Sequence, residues 1–222
     1  YDATSINGSN PGVLRDDGAA DIIDGGSGDD TIVGGGGDDT LDGSSGSDEL
    51  SGGSGDDLLI GSPHVDQMNG SAGNDTLLGG DSRDTLRGGS GRDSLNGGGG
   101  NDLIVGQGGS GDSLTGGDGS DTLHGGAGID VLVEQGDADF TLTSSTLIGL
   151  GSDSYSGLEI FEISGGPSAN NIDASGLTAP GATLVINGAG GDDVIVGSPF
   201  DDVINGGDGN DSVRGGDGND FL

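Results

Sequence analysis

The chain contains no cysteine, no tryptophan and no lysine, a single methionine, two histidines, and only two tyrosines and four phenylalanines among 222 residues. Without cysteine there are no disulfides, no thiol nucleophile and no thiolate zinc site. The two histidines, His64 and His124, stand far apart and neither belongs to an H-E-x-x-H sequence, so a zinc-hydrolase reading has no ligands. Glycine-rich turns abound, but no lysine follows them, and a phosphate cradle of the P-loop type needs that cation. A G-x-S-x-G nucleophile elbow and the D-x-D-x-D-G loop of an EF-hand are also missing. No constellation for catalysis is left, and the chain is expected not to be an enzyme. Five arginines face 39 acidic residues, a net charge of −34, which disfavours nucleic acid and anionic membrane surfaces as partners. No apolar run is long enough to insert into a membrane, and no signal-peptide pattern is visible. The sequence opens at Tyr1 and stops within a repeat at Phe221–Leu222, as expected of a processed product or a piece of something longer.

With 28% hydrophobic residues, such a charge balance ordinarily means disorder. The excess residue is glycine, 55 in all, and its placement is periodic. From Gly25 to Val133 a nine-residue unit is repeated twelve times: GGSGDDTIV, GGGGDDTLD, GSSGSDELS, GGSGDDLLI, GSPHVDQMN, GSAGNDTLL, GGDSRDTLR, GGSGRDSLN, GGGGNDLIV, the ten-residue GQGGSGDSLT, GGDGSDTLH and GGAGIDVLV. Each unit places Asp two residues before one apolar residue. Glycine tolerates backbone angles that other residues do not, so positions one to six read as a tight loop. Positions seven to nine read as a short strand, in which alternation lets only position eight point inward. Those inward residues are Ile32, Leu41, Leu50, Leu59, Met68, Leu77, Leu86, Leu95, Ile104, Leu114, Leu123 and Leu132.

This pattern, G-G-x-G-x-D-x-U-x, resembles the RTX (repeats-in-toxin) family of hemolysin-type calcium-binding repeats. The resemblance implies an all-β fold, a calcium-stabilised parallel β-roll in which two nonapeptides make one coil of a β-solenoid. Stacking then places Asp over Asp every eighteen residues: Asp30, Asp48, Asp66, Asp84, Asp102 and Asp121 in one column, Asp39, Asp57, Asp75, Asp93, Asp112 and Asp130 in the other. The extra residue near Gln107 shifts both columns by one and keeps them in phase. One buried Leu contributes roughly 1.5–3 kcal/mol, while ordering nine backbones costs roughly 9–18 kcal/mol. Like charges one rung apart repel by roughly 1 kcal/mol even in water. Apolar burial alone cannot hold such a coil, and a divalent ion is required. Calcium suits carboxylate and carbonyl oxygens in flexible geometry, whereas magnesium demands stricter octahedra and zinc prefers His or Cys. The resemblance implies ions between stacked loops, each bridged by successive Asp of one column and completed by loop carbonyls.

Four segments are expected. Residues 1–24 read as capping rungs: Asn7–Arg15 puts Leu14 inward with Gly12 in place of Asp, and Asp16–Asp24 has Asp21 and Ile23 in frame. Residues 25–133 form the first roll. Within it His64 reads as surface decoration, and Arg83, Arg87 and Arg92 as local charge relief beside the Asp columns. Residues 134–187 hold Phe140, Tyr155 and Phe161 and break the rhythm, so a wider solenoid stretch with a conventional apolar core is expected there, with Asn170 in an Asp position. Residues 188–222 resume the repeat as a second roll, truncated at its end, with Asp193, Asp202, Asp211 and Asp220 eighteen apart in pairs. The resemblance implies export by type I secretion and folding in extracellular calcium, as a structural module of a bacterial surface or extracellular protein. The alternative is the carrier domain of a secreted protease or lipase whose catalytic part lies elsewhere. Outward apolar pairs Leu58/Ile60, Leu103/Val105 and Val131/Val133 suggest contact with other extracellular or surface proteins.

Overall fold

A computed structural model describes residues 18–222; the Asn7–Arg15 rung lies outside the described residues. Strands alternate between two sheets, one of ten strands and one of twelve, and no helix occurs among the described residues. Within each sheet the nonapeptide strands run parallel. On one sheet Ile32 pairs with Leu50, Leu50 with Met68, Met68 with Leu86 and Leu86 with Ile104. On the other Ile23 pairs with Leu41, then come Leu59, Leu77, Leu95, Leu114 and Leu132. All of these are essentially excluded from solvent, so each coil contributes two apolar side chains to one continuous column of core. The extra residue of the tenth unit is taken up in a turn: Gly109 still pairs with Gly91, eighteen back, while Ser113 pairs with Ser94, nineteen back.

Most strands of the first roll are longer than the expected three residues, Thr40–Asp42 being an exception. Thr31–Gly36, Ser94–Gly100 and Leu103–Gly109 each run from position seven into the opening glycines of the next unit. Glycines at position one pair across rungs, as when Gly25 N–H donates to Asp42 O at 2.8 Å and Gly43 N–H to Ile60 O at 2.9 Å. The true turn is confined to the residues around position four and five. Three positions therefore face inward, the Asp at six, the aliphatic at eight and the glycine at one. The pairs Leu58/Ile60, Leu103/Val105 and Val131/Val133 do face outward, each half-buried by its neighbours along the sheet.

The longer rungs of 134–187 remain part of the solenoid. Their extra residues form an antiparallel meander on the taller sheet, Phe140–Thr143 against Thr146–Ile148 against Ser152–Ser156. The last of these continues the first roll in parallel, Leu123 on Tyr155, and the first carries the stack onward, Phe140 on Ile172. On the shorter sheet the stack passes directly from Leu132 to Phe161 to Leu184. Phe140 and Phe161 are among the largest fully buried side chains, and Tyr155 packs on Phe161 with ring centroids 5.2 Å apart, a tilted contact of the favourable kind. The second roll resumes two residues out of phase on this sheet: Leu184 aligns with Asp202, and Ile163 and Ile186 align with Ile204.

Phe161→Ala removes the largest plug between the rolls and should cost about 3–5 kcal/mol, whereas Ile148→Ala, on the open face of the meander, should stay within about 0.5 kcal/mol. Denaturant unfolding in saturating calcium measures both; equal losses would show that the insert is not packed as described.

Candidate metal centre

Each position-six Asp stands where the chain leaves the turn, and from Asp39 to Asp130 none is more than 3% exposed. Its backbone N–H points along the stack with no backbone acceptor in reach, because the turn has left sheet geometry. The carboxylate of the next coil supplies the acceptor. Asp30 N–H donates to Asp48 Oδ1 at 2.8 Å, Asp48 to Asp66 at 2.8 Å, Asp66 to Asp84 at 2.8 Å, Asp84 to Asp102 at 2.7 Å and Asp102 to Asp121 at 2.7 Å. The other column runs from Asp21 through Asp39, Asp57, Asp75, Asp93 and Asp112 to Asp130, with distances of 2.8–3.1 Å. The two expected columns are thus stacked in register, and Asp21 of the cap extends one of them.

Oδ1 is used by this ladder; Oδ2 is not. The Oδ2 atoms of Asp30, Asp48, Asp57, Asp66, Asp75, Asp84, Asp93, Asp102, Asp112, Asp121, Asp130 and Asp193 are buried without a hydrogen-bond partner. From Asp30 to Asp121 each nonapeptide Oδ2 lies over the position-one glycine of its own unit. A Cβ built on Gly61 would stand 2.6 Å from Asp66 Oδ2 and 2.6 Å from the Gly79 carbonyl of the next coil. That glycine has no unusual backbone angle; it is glycine because the carboxylate and carbonyl fill the space.

Burial without a partner penalises the charged form. It pushes Asp57, Asp66, Asp75, Asp102 and Asp112 up to about 6 and Asp84 to about 7, with the stacked neighbours' charges adding to the shift and the Asp N–H bonds opposing it. Asp48, Asp93 and Asp121 are raised by the same burial.

Several residues of this site escape a strict reading of the nonapeptide. A second ladder runs at position five in the opposite sense: Asp29 Oδ1 accepts from Ser47 N–H, Asp38 from Asp56, Asp56 from Asn74, and Asn101 from Ser120, all within 2.9 Å. Its signal was the frequent D-D and N-D pairs. Both buried columns also continue past the last nonapeptide. Asp121 N–H donates to Asp153 Oδ1 at 2.9 Å and Asp130 N–H to Glu159 Oε2 at 3.0 Å. The acid-x-apolar spacing is intact there, Asp153 before Tyr155 and Glu159 before Phe161, once Glu is admitted for Asp and an aromatic for the aliphatic. Asn170 occupies its Asp position and donates its N–H to Asp193 Oδ1 at 2.8 Å.

In the second roll Asp193 pairs with Asp211 at 2.9 Å and Asp202 with Asp220 at 3.1 Å. Asp211 and Asp220 are half-buried at the open end of the stack. Asp202 differs from the rest. The two-residue phase change puts Leu184 above it, and both its oxygens accept from Ser198, Oδ2 from the N–H at 2.7 Å and Oδ1 from the hydroxyl at 2.6 Å. His64 is exposed, and Arg92 Nε donates to the Gly111 carbonyl at 3.2 Å.

No three or more His, Cys, Asp or Glu side chains form a metal-holding group among the described residues. The donors offered are pairs of carboxylates with backbone carbonyls between them, all hard oxygens in a space that a Cβ would fill. Such a set fits a calcium-like ion, which takes six to eight oxygens from carboxylate, carbonyl and water, and suits neither zinc nor magnesium.

A parallel β-solenoid whose coils are joined through stacked, unneutralised carboxylates is the architecture of a calcium-binding β-roll. The model of the RTX calcium-binding nonapeptide repeat (4 copies) matches residues 15–50, 42–77, 78–111, 108–132 and 187–222, more than half of the chain, and the protein belongs to that family. No curated protein matches it.

Because the folded coil raises these Asp above their ordinary value of 3.8, it holds protons that the unfolded chain releases above about pH 4. Metal-free folding is then favoured by acid and lost as pH rises through 6–7. Circular dichroism of calcium-depleted protein should show more sheet at pH 5 than at pH 8; sheet content that grows with pH would contradict the burial described. Gly61→Ala, whose Cβ meets Asp66 and Gly79, should raise the calcium needed for folding severalfold at any pH.

Proposed function

We propose that the chain is a calcium-folded structural module of an exported bacterial protein at the cell surface or outside the cell, secreted by the type I route. Its metal ligands are Asp30, Asp39, Asp48, Asp57, Asp66, Asp75, Asp84, Asp93, Asp102, Asp112, Asp121 and Asp130 in the first roll, and Asp193, Asp211 and Asp220 in the second; Asp202, whose two oxygens accept from Ser198, is left out. The observation that carries this reading is the row of buried Oδ2 atoms without donors. Bound calcium supplies divalent charge and accepts oxygen ligands in flexible geometry. The chain's own residues do the rest: position-one glycines keep the space open, and each Oδ1 ties its coil to the one before. Binding free energy becomes folding free energy, since the unfolded chain has no such arrangement. Extracellular calcium modules have dissociation constants near ~10⁻⁴–10⁻³ M, so low cytosolic calcium leaves the acidic chain unfolded for export and external calcium folds it. A carrier role for a secreted hydrolase uses the same fold; the remainder of the parent gene separates the two readings.

Circular dichroism against calcium at pH 7.5 should pass from coil in chelator to sheet at millimolar concentrations. Asp75→Asn keeps the acceptor for Asp57 N–H, bonded at 2.9 Å, but removes one buried charge. Combined with Asp57→Asn it should increase residual sheet in chelator while raising the calcium midpoint severalfold. A wild-type chain equally folded in chelator would sink the switch and leave a static scaffold.

A further inference from the structure

A net charge of −34 restricts where another acidic molecule can approach this chain. Its solvated acids gather in the turns, as at Asp29, Asp38, Asp56 and Asp192. Among the described residues, the outer face of the ten-stranded sheet is different. From Leu58 to Asn187 seven of its strands lie side by side in register, and each presents three outward positions. Glu162 is the one charged residue at those positions; the others are glycine, serine, threonine, asparagine, glutamine and aliphatic residues. The taller sheet carries Glu49, Arg87, Asp173 and Arg214 on its outer face and is interrupted by the meander. The uncharged face is apolar at both ends, with Ile60 and Leu78 at one, Ile160 and Val185 at the other, and Ser113 and Thr115 between them. A depression of about 210 Å³ opens beside Glu162, between Val133 and Val185.

We infer that this face binds a second copy of the chain, as an isologous dimer whose twofold axis runs along the central strand, Ser113–Gly119. Such an axis inverts the order of the strands, so each end lies on the opposite end of the partner. Ile60 then meets Val185, Thr76 meets Ile160 and Ser94 meets Val131, while Leu78 enters the depression. The two Glu162 stand four strand spacings apart, roughly 19 Å, beyond the screening length of physiological salt. The other face-to-face arrangement, with both stacks running the same way, sets Glu162 against Glu162 and is disfavoured. Seven strands about 4.8 Å apart, each five residues of about 3.3 Å, make roughly 550 Å² per copy. Two such faces just reach the roughly 1,000 Å² that a specific contact needs, so the dimer is a weak one. Acids in the turns lie at its margins, where like charges oppose association and salt relieves them. The inference rests on the calcium-folded reading above, since the face exists only in the stacked coil.

Sedimentation of the full chain in millimolar calcium tests it. The expected result is a reversible monomer–dimer equilibrium in the high-micromolar range, tightened severalfold when sodium chloride is raised from about 0.05 to about 0.5 M. Thr115→Asp, which brings two acids together on the axis, should weaken dimerisation at least tenfold, and Glu162→Gln should strengthen it. Ile148→Asp, on the meander of the other sheet, should leave it within twofold. In a chain without native cysteine, Thr115→Cys should form a disulfide between copies in oxidised glutathione, and Val105→Cys, on the other sheet, should not. If Thr115→Asp fails to fold, the two cysteine variants decide. Equal crosslinking by both, or a dimer indifferent to a folded Thr115→Asp, overturns this interface. Circular dichroism against calcium on the same samples keeps the two ideas apart. A chain that folds normally with calcium but stays monomeric at millimolar protein in high salt rejects the dimer alone, and gives the face to another protein or to solvent. Folding without calcium rejects the broader reading.

Discussion

Everything in this fold follows from one hydrogen bond, repeated: the Asp N–H of one coil to the Asp carboxylate of the next. It completes the ladder at the one point where the turn has taken the backbone out of sheet geometry, so an unbonded buried N–H is avoided. It also forces a carboxylate into the interior at every rung. The second oxygen is left without a donor, and the cost of burying it rises with each coil stacked. A glycine at position one is the steric consequence, and a cation the electrostatic one. The ordinary forces of a β-protein, aliphatic burial and strand pairing, are present but subordinate.

The position-five ladder ties successive coils together on the solvent side of the turn. It runs from each side chain to the following coil's N–H, opposite in sense to the buried ladder, and it lies in water. Its acids are solvated, and Asp192 is held below its ordinary value by the backbone and side-chain N–H groups of Asn210. Where Asp or Asn stands at position five, two antiparallel sets of side-chain bonds flank the turn, one in solvent and one in the core. Only the buried set needs an ion.

The insert changes the balance. Two additional strands on one sheet make that wall about 10 Å taller at the usual strand spacing, and aromatic side chains fill the wedge. Phe140, Tyr155 and Phe161 add aromatic burial to a core that is otherwise a column of aliphatic side chains. The change of phase on the shorter sheet is the price of the detour. Asp202 then faces Leu184 instead of an acid, and Ser198 satisfies it locally.

The nonapeptide arithmetic was enough to read the two sheets, the inward aliphatic column from Ile32 to Leu132 and the eighteen-residue Asp columns, because each depends only on period and alternation, which are local properties of the chain. The extra residue of the tenth unit could be assigned to that unit for the same reason, but not to its place: Gln107 keeps the eighteen-residue register, and the insertion falls in the turn between Gly109 and Ser113. What period could not reach was anything settled by the neighbouring coil. Position one is glycine for the carboxylate above its Cα, a contact between residues five apart that exists only once the turn closes. Asp153 and Glu159 continue the columns at separations of 32 and 29 residues, which no fixed period announces. Glu134 reads as the first residue of an irregular segment until Gly116 is stacked on it. The two-residue phase change of the second roll is invisible in a sequence whose repeat there is intact, because phase between rolls is set by the path of the insert through three dimensions and not by the repeat itself.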